Sequence, residues 1–163
     1  MRTLLALLGA AAALAGCDPA RVAKLEEGVS TEAQVRQEFG EPVTVTVLPD
    51  GQRVLDYPRQ PEGWTNYRIT IGADGKMSSL RQLLNADNFA RVQPGISEMQ
   101  VRELLGRPAR QQSWPLRNER ELVWRFHPDV NHSALFSVYF DAEGRALRTA
   151  ITDDPRAQAQ MGN

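Results

Sequence analysis

Cysteine occurs once, at position 17, and histidine twice, at 127 and 132, in a chain of 163 residues. A single cysteine excludes an internal disulfide. No Gly-x-Ser-x-Gly, His-Glu-x-x-His, phosphate-binding glycine loop or dinucleotide fingerprint is present. Carboxylates are scattered, and no motif places two of them as an acid–base pair. Basic and acidic residues number 19 and 20, for a net charge of -1, so there is no basic excess of the kind that binds nucleic acid. Beyond the N-terminus no apolar run is long enough to span a bilayer. The expectation is a chain that is not an enzyme, with no catalytic residue, no cofactor and no metal site. His127 and His132 are the one pair to weigh. With Asp129 between them they are donors of the type a divalent metal takes. Pro128 and Asn131 instead mark a solvated turn between two strands, which is the preferred reading.

What is present begins at the N-terminus. Arg2 supplies a positive start, Leu4 to Leu14 form an apolar stretch of signal-peptide length, and Leu14-Ala15-Gly16-Cys17 follows. That tetrad resembles the bacterial lipobox, in which the chain is cut before the cysteine and the cysteine is acylated. The resemblance makes residues 1–16 a lipoprotein signal peptide and Cys17 the lipid attachment site. It also removes the one thiol from any catalytic role. Two or more acyl chains give stable anchoring at about 0.8 kcal/mol per buried methylene. Asp18, next to the cysteine, resembles the inner-membrane retention signal of enteric bacteria. The expected address is the periplasmic face of the envelope, with the outer membrane favoured and the inner membrane left open by Asp18.

A phrase then occurs twice. Gly28 to Pro42 reads GVSTEAQVRQEFGEP, and Gly95 to Pro108 reads GISEMQVRELLGRP. Thr31 with Gln34, and Ser97 with Gln100, are capping boxes that open short helices. Val35 and Phe39 share a helical face, as do Val101 and Leu105. Gly40 and Gly106 are placed to end the helices in a left-handed residue, and Pro42 and Pro108 prevent their continuation. The offset is 66 residues from Thr31 to Ser97 but 67 between the leading glycines, so the first copy holds one extra residue, assigned to Ser30.

Downstream, Tyr67, Ile69 and Ile71 alternate with polar residues, and so do Phe136, Val138 and Phe140, as half-buried strands should. Asp74-Gly75 and Glu143-Gly144 turn each strand back. Further strands fit at 43–48, 52–57, 110–114 and 120–126, with Leu122, Trp124 and Phe126 on one face. Residues 80–88 join the units, with Asp87 as the cap of the next helix and Phe89 and Val92 turned inward. A fixed period over most of the chain defines a repeat. The fold class is α+β: two tandem units, each two short helices followed by a three- or four-stranded antiparallel meander, the sheets combined and the helices on one face. The units span 17–85 and 86–153. Residues 154–163 form a polar tail expected to be disordered.

Helices on one face leave the other open. Alternation points Asp56, Arg68, Thr70, Val123, Arg125, Ser137 and Tyr139 outward. Arginine and aromatic residues dominate protein interfaces, so Arg68, Arg125 and Tyr139 are candidate partner-binding residues. Trp64, in the loop Pro61-Glu62-Gly63-Trp64, and Trp114, before Pro115, are either folded back on the core or offered as contacts. Trp64 joins the candidates.

The lipobox, the repeated Gly-[Val/Ile]-…-Gln-Val-…-Gly-x-Pro pattern and the aromatic strand before Asp/Glu-Gly resemble the SmpA/OmlA (BamE-like) family of outer-membrane β-barrel assembly lipoproteins. The resemblance covers residues 24–80 and again 91–150. It implies a non-enzymatic accessory factor whose partners are envelope proteins, among them the barrel-assembly machinery. That family has one such unit. The tandem arrangement is similar to the β-lactamase inhibitor protein fold, which implies an alternative role as a periplasmic inhibitor or recognition module.

Overall fold

The computed structural model describes residues 18–156. Cys17 and the preceding segment, and residues 157–163, lie outside the described residues. Each unit is two helices and four strands. Unit 1 runs α1 (Asp18–Val22), α2 (Glu32–Phe39), β1 (Thr44–Val47), β2 (Arg53–Pro58), β3 (Asn66–Ile71) and β4 (Met77–Gln82). Unit 2 runs α3 (Ala86–Ala90), α4 (Glu98–Leu105), β5 (Arg110–Trp114), β6 (Glu119–Asp129), β7 (His132–Phe140) and β8 (Ala146–Asp153), with a 3-10 turn at Pro115–Arg117. The strands form two antiparallel meanders, β1-β2-β3-β4 and β5-β6-β7-β8. Strand pairing stays within each sheet, and the units combine through side chains.

Both capping boxes form. Thr31 Oγ1 accepts from the Gln34 amide, and Gln34 Oε1 accepts from the Thr31 amide at 2.8 Å; Ser97 and Gln100 repeat the exchange at 3.1 Å. The glycines that stop the helices have positive φ as expected, but ψ is extended: 81/-163° at Gly40 and 71/-157° at Gly106. That region is open only to glycine and sends the chain straight into a strand rather than round a left-handed turn. The cap of α3 is Asn85, whose side chain accepts from Asn88, and not Asp87, which falls inside the first turn. The extra residue of the first phrase is Val29, not Ser30. Gly28 N and Ser30 O both pair with Met77, as Gly95 N and Ile96 O pair with Ala146. Val29 therefore bulges outward, 58% exposed, while Ser30 is buried at 5%.

Each sheet packs its helices on one face. In unit 1 Val35 and Phe39 of α2 meet Leu55, Tyr57, Tyr67, Ile69, Ile71 and Met77, with Val22 and Leu25 packed alongside. The Phe39 ring lies 5.3 Å from both Tyr57 and Tyr67. Unit 2 has the larger core: Val101 and Leu105 of α4, Phe89 of α3, and Leu122, Trp124, Phe126, Phe136, Val138 and Phe140 of the sheet. Phe89 stacks on Phe136 at 4.1 Å. The inward residues read from alternation are thus the buried ones. On β6, however, six consecutive residues from Glu121 to Phe126 are buried, so its second face is covered as well.

Candidate interaction surface

Part of the cover on that second face is the joint between the units, and the joint takes up three of the four candidate contact residues. Arg125, expected outward and free, is 7% exposed. Its Nε and Nη2 donate to Asp154 Oδ2 at 2.8 and 2.6 Å, and Nη1 donates to Pro61 O at 3.1 Å. Asp154, assigned to a disordered tail, is 2% exposed. Ser133 Oγ donates to the same carboxylate oxygen at 3.0 Å. Burial by itself would raise the Asp154 pKa. The Arg156 amide, the Arg125 guanidinium and the Ser133 hydroxyl outweigh it and hold the group below its ordinary range.

Trp64 folds back onto unit 2. Its Nε1 donates to Ser133 Oγ at 2.8 Å, its ring lies 4.5 Å from that of His127, and the Arg125 guanidinium stands 5.4 Å over it. The β2–β3 loop supplies one more link. β6 outruns β5, whose last pairings are Arg110 with Val123 and the Ala109 amide with the Val123 carbonyl. Beyond them, the Gln60 carboxamide pairs with the main chain of Arg125, accepting at 3.2 Å and donating at 2.8 Å. One side chain does what a neighbouring strand would do.

Arg68 is also engaged. It donates to Asp56 Oδ1 at 2.8 Å across the strand pair, and to the Glu103 carbonyl and carboxylate of α4 at 2.8 and 2.6 Å. Burial opposes its charge, but the two carboxylates outweigh that and raise its pKa. Next to it Asn66, 1% exposed, donates to the carbonyls of Leu105 and Arg107, at 2.7 and 2.9 Å. Trp124 Nε1 takes the Gly106 carbonyl between them at 3.1 Å. Three orphan carbonyls at the end of α4 are so satisfied, two of them from unit 1. The outward face of β3 is therefore a seat for the second unit's helix. Val123 and Ser137, also read as outward and open, are 1% and 5% exposed.

Tyr139 remains. It stands half-buried on the outer face of β7, with the Arg148 guanidinium 3.9 Å over its ring. Arg148 is held in place by two 2.9 Å bonds to Glu119. Beside Tyr139, Glu121 accepts from Ser137 Oγ at 2.8 Å and from Trp114 Nε1 at 3.2 Å. Burial pushes the Tyr139 phenol up, and Glu121 adds to the shift. Trp114 leads into the β5–β6 hairpin, where Leu116 is fully exposed at 105% and Arg117 lies 6.0 Å over the indole. The result is a rigid row of Trp114, Glu121, Tyr139 and Arg148 with an apolar tip at one end. Reading the sequence missed Leu116 and Arg148. An apolar residue in a proline turn was the available signal for Leu116; Arg148 lies on a strand that alternation did not reveal.

The two histidines form a hairpin end. His127 Nδ1 lies 2.7 Å from the His132 carbonyl, and His132 Nε2 lies 2.9 Å from Asp153, so the imidazoles serve different partners. Among the described residues no group of three or more His, Cys, Asp or Glu side chains could hold a metal ion.

No known family and no curated protein matches the chain. Among solved structures it is similar to a DUF4309 family protein of Bacillus subtilis, at 18% identity over 80% of this chain and 82% of that one, with a TM-score of 0.30. It is also similar to a Streptococcus mutans protein provisionally described as a beta-lactamase inhibitor protein, at 16% identity over 76% and 83%, with a TM-score of 0.33. These scores are too low to carry any property across.

Proposed function

We propose that the chain is a non-enzymatic protein-recognition module, lipid-anchored through Cys17 and facing the periplasm. It grips an envelope protein with the outer face of its second sheet and the β5–β6 hairpin. The observation that carries this reading is the Trp114–Tyr139–Arg148 row with Leu116 at its end. Tryptophan, tyrosine and arginine are the side chains that dominate binding energy. Here Glu119 and Glu121 hold them in place before a partner arrives, which lowers the entropy cost of binding. This surface supports a recognition role, of which inhibition of an enzyme is one form. The barrel-assembly role rests on the lipobox and the twice-written Gln-Val-…-Gly-x-Pro phrase, and makes the assembly machinery one candidate partner.

The test is site-specific photo-crosslinking in intact cells, with the probe at Leu116 or Tyr139 and a control at Thr46 on the exposed β1 strand. One discrete adduct is expected from 116 and 139 and none from 46. Leu116→Asp should remove the adduct formed from position 139 and leave the melting temperature unchanged. Equal crosslinking at all three sites would sink the reading. A barrel-assembly component in the adduct selects the assembly role, and an enzyme selects the inhibitor role.

A further inference from the structure

α1 is docked, not dangling. Thr65 Oγ1 donates to Asp18 Oδ2 at 3.0 Å, and Arg59 Nη2 lies 3.4 Å from Asp18 Oδ1. Val22 and Leu25 pack on the core of unit 1. The Asp18 carboxylate thus fastens the first described residue to the β2–β3 loop, and that loop is fastened to unit 2 through Gln60, Pro61 and Trp64. One peptide unit, ~3.8 Å from Cα to Cα, separates Asp18 from Cys17. There is no length of free chain between the acylated residue and the folded body.

At the same end lies an open groove of ≈ 1140 Å³ with apolar walls at Pro19, Trp64, Tyr67 and Val130 and charged side chains, among them Arg59, Glu62 and Asp129, around them. Val130 forms the tip of the β6–β7 hairpin and is 93% exposed. The β5–β6 hairpin with Leu116 is at the other end of β6, whose residues Glu119–Asp129 span roughly 30 Å at about 3.3 Å per residue.

We infer that the end bearing α1, the β2–β3 loop and the β6–β7 hairpin lies flat on the bilayer, with lipid filling the groove and Val130 in the headgroup layer. The inference rests on Cys17 being acylated. Acyl chains in the hydrocarbon hold Cys17 at the membrane surface, and the short clamped link then brings everything around Asp18 down with it. The apolar groove and the bare valine are the surfaces that lose least by leaving water there. The body stands upright, and Leu116 is presented away from the membrane. The Asp18 carboxylate acquires a structural task separate from any sorting role.

The experiment uses the mature acylated protein in vesicles of phosphatidylethanolamine and phosphatidylcholine carrying spin-labelled lipid. With Cys17 blocked by its lipid, Val130→Cys and Leu116→Cys each introduce one free thiol for an environment-sensitive fluorophore. The label at 130 should shift to the blue and be quenched several-fold more than the label at 116. Equal quenching at the two positions overturns the orientation. Intact mass reports acylation separately. An unmodified Cys17 refutes the lipoprotein reading and this inference with it, whereas an acylated, vesicle-bound chain with an unquenched label at 130 refutes the inference alone.

Discussion

Asp56 and Arg68 of unit 1, paired across β2 and β3, answer to Val123 and Ser137 of unit 2, paired across β6 and β7, on the same outward face of matching strands. In unit 1 that face carries Arg68 and Asn66 and seats the end of α4. In unit 2 half of the matching face is closed by the β2–β3 loop and Asp154, and the other half keeps Tyr139, Trp114 and Arg148 available. The inward faces differ much less. Leu55 answers to Leu122, Tyr57 to Trp124, and Met77 to Ala146, each pair buried. The comparison teaches that the repeated phrase dictates how a unit folds, while the outward positions decide what the unit is for. Unit 1 has become the clamp and unit 2 the display.

The sharpest way to break the comparison is at the buried ion pair. Arg125→Ala leaves Asp154 buried and unpaired and should cost about 3–5 kcal/mol in urea unfolding. Breaking the outward ion pair of unit 1 instead, with Asp56→Ala, releases an Arg68 that still has Glu103, and should cost about 1 kcal/mol or less. Equal losses would mean that the joint is not asymmetric. In the cores, Trp124→Ala should cost about 3–5 kcal/mol and Leu55→Ala about 2–5 kcal/mol. A single unfolding transition, shifted in both variants, would show that the units unfold as one body. Asn66→Ala strands two carbonyls of the other unit and should cost about 1–3 kcal/mol, although it removes no core atom of its own unit. The two caps test the equality rather than the difference: Thr31→Ala and Ser97→Ala should each cost about 1 kcal/mol.

Acid should loosen the joint. The folded Asp154 carboxyl sits below its ordinary value of 3.8, so its stabilising contribution is complete above that value and is lost as pH falls through the lower folded one. The urea midpoint of the native protein should therefore drop more steeply below about pH 4 than that of Asp154→Asn. Identical slopes would mean that the carboxylate is not what acid releases.

The unit fold was legible because it is written in local rules. Capping boxes, helix-stopping glycines, alternation and turn residues each act within a few positions, and Tyr67, Ile69, Ile71, Phe136, Val138 and Phe140 fell inward as alternation requires. The surface was not legible to the same degree. Alternation says that Arg68 and Arg125 leave their own core, but not that another unit waits for them. The partners of Arg125 lie up to 65 residues away, at Gln60 and Pro61, and 29 residues on, at Asp154. Nothing in a polar tail marks one aspartate as a buried counter-ion. Tyr139 remained a candidate because no loop reaches it.

The Gln60 carboxamide has one more consequence. Past Val123 the β5 side of β6 has no strand beside it, and a bare main-chain edge is a template on which a foreign chain can add itself. The glutamine occupies that edge at Arg125 with one donor and one acceptor, the two groups an invading strand would need. The stitch between the units is also a cap against fibrous self-association, and Gln60→Ala would open the protein to strand addition before it visibly loosened the fold.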